Sequence, residues 1–248
     1  MARNKQSKST DTSTPVASNA RAGGDLSPQS DISAFLSKAS TLKSKSGGRG
    51  GLIFALDATM SRQHTWDHAL HVQAQMFDAV ASVGTLDVQL AYFRGMGECR
   101  ASRWVQNGSS LRDLMTGIAC RGGQTQIGKI LNHCRKETSR SKDTRVRAAV
   151  FVGDAMEENP DTLCVSAGEL GVLGVPMFMF QEGRDGLTEQ TFREISRLSG
   201  GAYMRFGDGS AAQLAELLMA VARFAAGGRG ALTQSKTSEA RLLLEQLK

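Results

Sequence analysis

Three segments of this chain are apolar almost without interruption: GLIFALD (51–57), RAAVFVGD (147–154) and VPMFMFQ (175–181). A strand with one face in water alternates apolar and polar residues, whereas a strand covered on both faces does not. Helix-length segments separate these runs, as parallel strands require. A helix is predicted over 62–82, with Trp66, Leu70, Phe77 and Val80 on one side. Strands follow at LDVQLAYFR (86–94) and ASRWVQ (101–106), then helices over 109–119, from after CRGGQT to about Ser139, and over 161–172 and 188–199. A strand at GAYMRF and a long helix over 210–226 complete the pattern. The order β-α-β-β-α-α-β-α-β-α-β-α predicts an α/β fold: a three-layer Rossmann-like sandwich with a mostly parallel six-stranded sheet and helices on both faces. The early β-β step predicts one antiparallel edge strand.

The flanks differ in composition. Residues 1–49 are rich in Ser, Lys and Gly and poor in large apolar groups, so they are predicted to be a mostly disordered basic arm. Within it, Ile32, Phe35, Leu36 and Ala39 mark a short amphipathic helix at 31–39. The α/β domain is expected over 50–226, followed by a Gly-containing linker and a C-terminal amphipathic helix over 227–248, with Ala240, Leu243, Leu244 and Leu247 in register. These terminal helices either pack back on the core or dock on a partner. The net charge of +6 sits mostly in the arm: residues 1–50 hold eight Lys/Arg and three Asp, the remaining 198 hold 22 Lys/Arg against 21 Asp/Glu. A specific nucleic-acid surface is therefore not expected of the domain. No window is long and apolar enough to span a membrane, and the N-terminus lacks a secretory h-region. The four cysteines form no CxxC pair and make no zinc pattern with the histidines, so free thiols in a reducing cytoplasm are expected.

Open α/β sheets gather their functional groups where the strands end. Here Asp57, Thr59 and Ser61 follow the first strand, Thr125 lies in RGGQTQIG, and Asp154 follows the strand AAVFV. Two carboxylates and three hydroxyls make an all-oxygen set, suited to Mg²⁺, Mn²⁺ or Ca²⁺. Two acids leave a divalent ion under-neutralised, with water or an open position able to take another carboxylate. The competing explanation, that Asp57 and Asp154 cap the following helices, covers each acid singly but not the clustered hydroxyls. A partner-binding rim is expected from His64, Gly123, Glu157 and Glu158, although the two glutamates also suit a solvated helix start and His64 a surface position in the first helical turn. Arg94, Glu98 and Arg100 fall in the FRGMGECRAS turn, read as a hairpin connection.

At these residues the chain resembles the von Willebrand factor A-type (VWA) family, most of all its small bacterial stand-alone members. That family's metal-ion-dependent adhesion site joins an Asp-x-Ser-x-Ser signature, a loop Thr and a later Asp after a buried strand. Asp57, Thr59 and Ser61, then Thr125, then Asp154 match it, with Thr59 in place of the commoner Ser. The resemblance covers about residues 50–226. It implies direct coordination of Mg²⁺ by Thr59 and Ser61, by Thr125 in some states, and by Asp57 and Asp154 largely through water. It also implies binding rather than catalysis; the ion is expected to hold an Asp or Glu of a partner protein, with specificity from surrounding loops that include residues 94–102 and 156–160.

Three other readings compete. In a haloacid-dehalogenase-like phosphohydrolase, Asp57 would be the nucleophile and GDAMEE the acidic motif, with Glu158 its last acid. Against it, Thr59 stands two residues on where an acid is usual, no suitable Lys precedes Asp154, and no cap insertion follows the first strand. GQTQIGK (123–129) fits a phosphate loop, yet Ile130 stands where Ser or Thr would hold magnesium, and no apolar strand precedes it. In the third reading the sheet is a scaffold and the terminal helices bind.

Overall fold

The computed structural model describes residues 49–63, 86–140, 144–206 and 211–247, all within one compact unit bounded by Gly48 and Lys248. The predicted arm with its helix at 31–39, the predicted helix beyond Gln63, and His64 lie outside the described residues.

Six strands form one sheet: β1 (Arg49–Asp57), β2 (Leu86–Arg94), β3 (Glu98–Ala101), β4 (Thr144–Gly153), β5 (Met177–Glu182) and β6 (Tyr203–Phe206), in the order β3-β2-β1-β4-β5-β6. All neighbours are parallel except β2 and β3. Alternate residues of β1 enter separate apolar layers. Leu52, Phe54 and Leu56 pack with α1 (Gly108–Thr116), α5 (Ala211–Thr233) and α6 (Ser238–Gln246) through Leu111, Met115, Val221 and Leu243. Ile53 and Ala55 pack on the other face with α2 (Ile127–Arg140), α3 (Pro160–Val172) and α4 (Gly186–Ser199) through Ile130, Leu163 and Ile195. Phe93, Phe151 and Phe192 run through that second layer with ring centroids 5.9 and 5.6 Å apart. The sheet is therefore covered on both faces, which is why its central strands carry no polar alternation.

The antiparallel edge strand begins earlier than the sequence pattern suggests. β3 is Glu98–Ala101, inside the segment read as a hairpin connection. Gly95 takes φ +61°, which lets the chain reverse over Gly95–Gly97 alone, and Arg94 then faces Glu98. The predicted strand 101–106 contributes Ala101 to β3 and one isolated pair, in which Val88 and Val105 exchange backbone hydrogen bonds at 2.8 Å.

At the C-terminus α5 bends at Gly228 (φ 66°, ψ −161°) and resumes to Thr233. Leu232, Ala240, Leu243 and Leu247 then join the same apolar layer as β1. Arg229 Nη1 donates to the Leu247 carbonyl, and Gln246 Oε1 accepts the outward N–H of Tyr203 on edge strand β6 at 2.8 Å. Of the two alternatives for the C-terminal apolar stripe, the molecule adopts packing against the core. Leu243→Ala should thus behave as a core truncation, costing about 2–5 kcal/mol in urea unfolding. A loss within ~0.5 kcal/mol, the range of surface changes, would show that α6 is not part of the folded unit.

Candidate metal centre

β1 and β4 are parallel neighbours with Leu56 opposite Val152, so Asp57, one residue on, and Asp154, two residues on, lie at the same end of the sheet. A Cβ built on Gly153 would come within 3.4 Å of the Asp57 Cβ. The loop carrying Thr125 reaches the same edge: Arg121 pairs with Thr59, and its N–H donates to the Ala58 carbonyl at 3.1 Å. Asp57, Thr59, Ser61, Thr125 and Asp154 therefore share one rim.

Asp57 is fully buried. Its Oδ1 accepts the Thr59 N–H at 2.8 Å, while Oδ2 has no hydrogen-bond partner among the described residues. Asp154 Oδ1 is likewise buried and without a partner among them. The helix-capping explanation does not hold for Asp154, because Asn159 caps α3 by accepting from Thr162 N, and the short 3₁₀ turn at Met60–Arg62 has no side-chain cap. The Thr59 and Ser61 hydroxyl oxygens lie 3.1 Å apart. Two adjacent oxygens on an octahedral ion with bonds of 2.0–2.1 Å stand about 3 Å apart. Thr125 Oγ1 accepts the Glu157 N–H at 3.0 Å and retains a second lone pair. The donor set, the hydroxyl spacing and two orphaned buried carboxylate oxygens all fit a small hard cation.

Burial pushes the Asp57 carboxyl up to about 6, and the nearby Asp154 charge adds to the rise; hydrogen bonds from Thr59 and the Arg62 guanidinium pull the other way. A buried carboxylate with one oxygen unpartnered is costly unless a cation shares the site.

The expected rim residues divide. His64 lies outside the described residues. Gly123 is a contact point between loops: a Cβ there would fall 2.1 Å from the Gly95 carbonyl oxygen, so only glycine permits this approach. Glu157 is exposed, and its Oε2 accepts the Thr125 N–H at 3.1 Å. Glu158 turns toward α2, where its two carboxylate oxygens accept the first amides, Ile127 N–H and Gly128 N–H. It caps α2 and is not a solvated start of α3. The same contact accounts for the phosphate-loop near-miss, since the helix N-terminus that would receive a phosphate already holds a carboxylate.

Four residues that shape the site escape the sequence reading. Arg62, only 1% exposed, donates through Nη1 to the carbonyls of Asp57 at 3.2 Å and Val152 at 3.4 Å, and through Nε to Glu182 Oε2 at 3.0 Å. It ties the carboxyl ends of β1, β4 and β5 together. Gln126 Nε2 donates to the Gly95 carbonyl at 3.2 Å, and Lys129 Nζ to the Gly97 carbonyl at 2.9 Å, fastening the Thr125 loop to the β2–β3 hairpin. No local pattern announces a buried Arg–Glu pair 120 positions apart.

With its carboxyl raised from 3.8 to about 6, Asp57 contributes stability that is complete below pH ~4 and is lost as pH rises through 6. At ~1.4 kcal/mol per unit the loss amounts to about 3 kcal/mol. In chelator-treated protein, Asp57→Asn should therefore be more stable than wild type above pH 7, by up to that amount in urea unfolding, with the advantage fading toward pH 4. A difference independent of pH would refute the assignment of an uncompensated buried charge.

No family model matches this chain, and no curated protein matches it in sequence. Solved structures do resemble it. The conserved hypothetical protein BatB from Bacteroides thetaiotaomicron superposes with a TM-score of 0.54 and 16% identity, over 67% of this chain and 96% of its own. The von Willebrand factor type A protein from Catenulispora acidiphila gives 0.54 and 14%, over 73% of this chain and 43% of its own. The SpRpn10 VWA domain gives 0.54 and 10%, over 70% and 95%. Among the described residues no helix is long and apolar enough to cross a membrane, and all four cysteines are free thiols. The sheet order, the single antiparallel edge strand and these superpositions together identify the fold of the described unit as von Willebrand factor A-type.

Proposed function

We propose that this chain is a protein-interaction module that holds a divalent cation, Mg²⁺ foremost, at Asp57, Thr59, Ser61, Thr125 and Asp154, and through it an Asp or Glu side chain of a partner protein. The observation that carries the reading is the pair of buried carboxylate oxygens, Asp57 Oδ2 and Asp154 Oδ1, lacking partners among the described residues at a rim that also bears three hydroxyls. A bound Mg²⁺ supplies a hard acceptor position for a carboxylate. The chain's own residues do the rest. Thr59, Ser61 and Thr125 offer neutral oxygens, so the site's negative charge comes from two acids alone and stays low enough for a third carboxylate. Arg62 and the Thr59 N–H hold Asp57 in place. The VWA fold, a scaffold generally used for protein–protein contact, supports the same reading.

The phosphohydrolase alternative is less well supported. The position two residues after Asp57 is Thr59, whose hydroxyl pairs with Ser61. Glu158, the acid that reading would add beside Asp154, is committed to the first amides of α2. The scaffold alternative is weakened at the C-terminus, where the apolar stripe of α6 is buried within this chain.

Mg²⁺ at a hundredfold excess over its Kd should stabilise the wild type by about 2.7 kcal/mol, roughly 5–10 °C in melting temperature for a chain of this size. Asp57→Ala and Ser61→Ala should remove that rise while still folding cooperatively. If millimolar Mg²⁺ and Mn²⁺ both leave the wild-type transition where it was, the metal reading fails. Turnover of an aryl phosphate that disappears in Asp57→Asn would favour the phosphohydrolase instead.

A further inference from the structure

The rim is not electrically uniform. On the β2–β3 side one carboxylate, Glu98, receives three guanidinium groups. Arg94 meets it from Nε at 3.0 Å and Nη2 at 3.1 Å, Arg100 from Nε at 2.8 Å, and Arg121 from Nη1 at 3.8 Å. Arg94 is held further by the Ala119 carbonyl at 2.8 Å and by the Tyr92 ring. Arg100 and Arg121 have side chains 69% and 64% exposed. Lys129 adds a fourth cation at the hairpin, on the Gly97 carbonyl. Three guanidinium groups against the one carboxylate of Glu98, with Lys129 offset by Glu158 nearby on the first amides of α2, leave a positive excess among the described residues. The cluster adjoins the candidate metal centre, because Phe93 accepts the Ala58 N–H and Arg121 pairs with Thr59. Met96, 81% exposed at the hairpin tip, and Met60, between Thr59 and Ser61, add adaptable apolar surface. The β4–α3 side is opposite in sign, with Glu157 and Asp161 both exposed.

We infer that the partner presents an acidic stretch: one carboxylate at the metal centre and a second on Arg100 and Arg121, with the stretch running toward the β2–β3 hairpin and away from Glu157 and Asp161. This rests on the metal-bridged reading and names the class of partner that the reading leaves open. Exposed arginines add bidentate recognition of a carboxylate. Two points of attachment on one segment also fix its direction, which a single ion-bridged carboxylate does not. A nucleic acid fits less well, because its backbone needs a longer basic track and would meet the acids on the far side.

The test uses the full chain with Mg²⁺ and two fluorescent decapeptides, one with a single Asp in a Gly/Ser background and one with four Asp/Glu. Wild type should bind the acidic peptide at least tenfold more tightly. The double variant Arg100→Ser/Arg121→Ser should keep the Mg²⁺-induced rise in melting temperature and lose that preference. A preference that survives in the double variant, or displacement of the acidic peptide by an equal concentration of a thymidine decanucleotide, would overturn the inference alone. Absence of the Mg²⁺-induced rise in wild type would overturn the metal reading, and the two-point attachment with it.

Discussion

A parallel sheet covered on both faces confines its polar chemistry to its ends. Inside such a sheet a side-chain carboxylate or hydroxyl is cut off from water, so the middle of β1 (Leu52–Leu56) and of β4 (Ala148–Val152) is apolar throughout. The polar side chains that follow those runs are Asp57, the last residue of β1, and Asp154, just beyond β4, and the parallel register of the two strands brings them to one edge. The carboxyls are then held where neither solvent nor hydrogen bonds satisfy them fully. At Asp57, whose burial raises its carboxyl, that arrangement costs stability at neutral pH.

The support beneath the site comes from distant parts of the chain. Arg62 ties three strand ends through one guanidinium, and its pairing with Glu182 is buried on both sides. Breaking a buried pair of this kind by removing one partner costs about 3–5 kcal/mol. The Thr125 loop is braced separately, by Glu157 on its backbone, by Glu158 on the helix that follows, and by Gln126 and Lys129 on the hairpin. The Thr125 loop is thus fixed to both the hairpin and the β4–α3 segment.

Likeness to known VWA structures survives in the fold at identities of only 10–16%. Many sequences satisfy an apolar strand, an amphipathic helix and a short turn, so the fold tolerates near-complete replacement. On the rim of this chain, arginines gather on the β2–β3 side of the candidate centre, while Glu157 and Asp161 lie exposed on the β4–α3 side. Glu158 bears on both near-misses: its carboxylate fills the helix N-terminus that a phosphate loop would use, and it is thereby withdrawn from the acidic motif that a phosphohydrolase would need.

Much was legible in one dimension. Uninterrupted apolar runs, helical periodicity between them and hydroxyls spaced around an acid are local facts, and they lead to the layer order, the parallel sheet and the residues that converge on its edge. The edge strand begins a few residues earlier than the apolar pattern suggests because Gly95, at φ +61°, allows a tighter reversal. The roles of Arg62, Glu158, Gln126 and Arg121 depend on contacts between segments tens of residues apart, which no periodicity encodes. Sequence alone settled which surfaces had to be buried, since burial follows from side-chain chemistry. Tertiary structure alone decided which charges meet, since that follows from where the strands end in space.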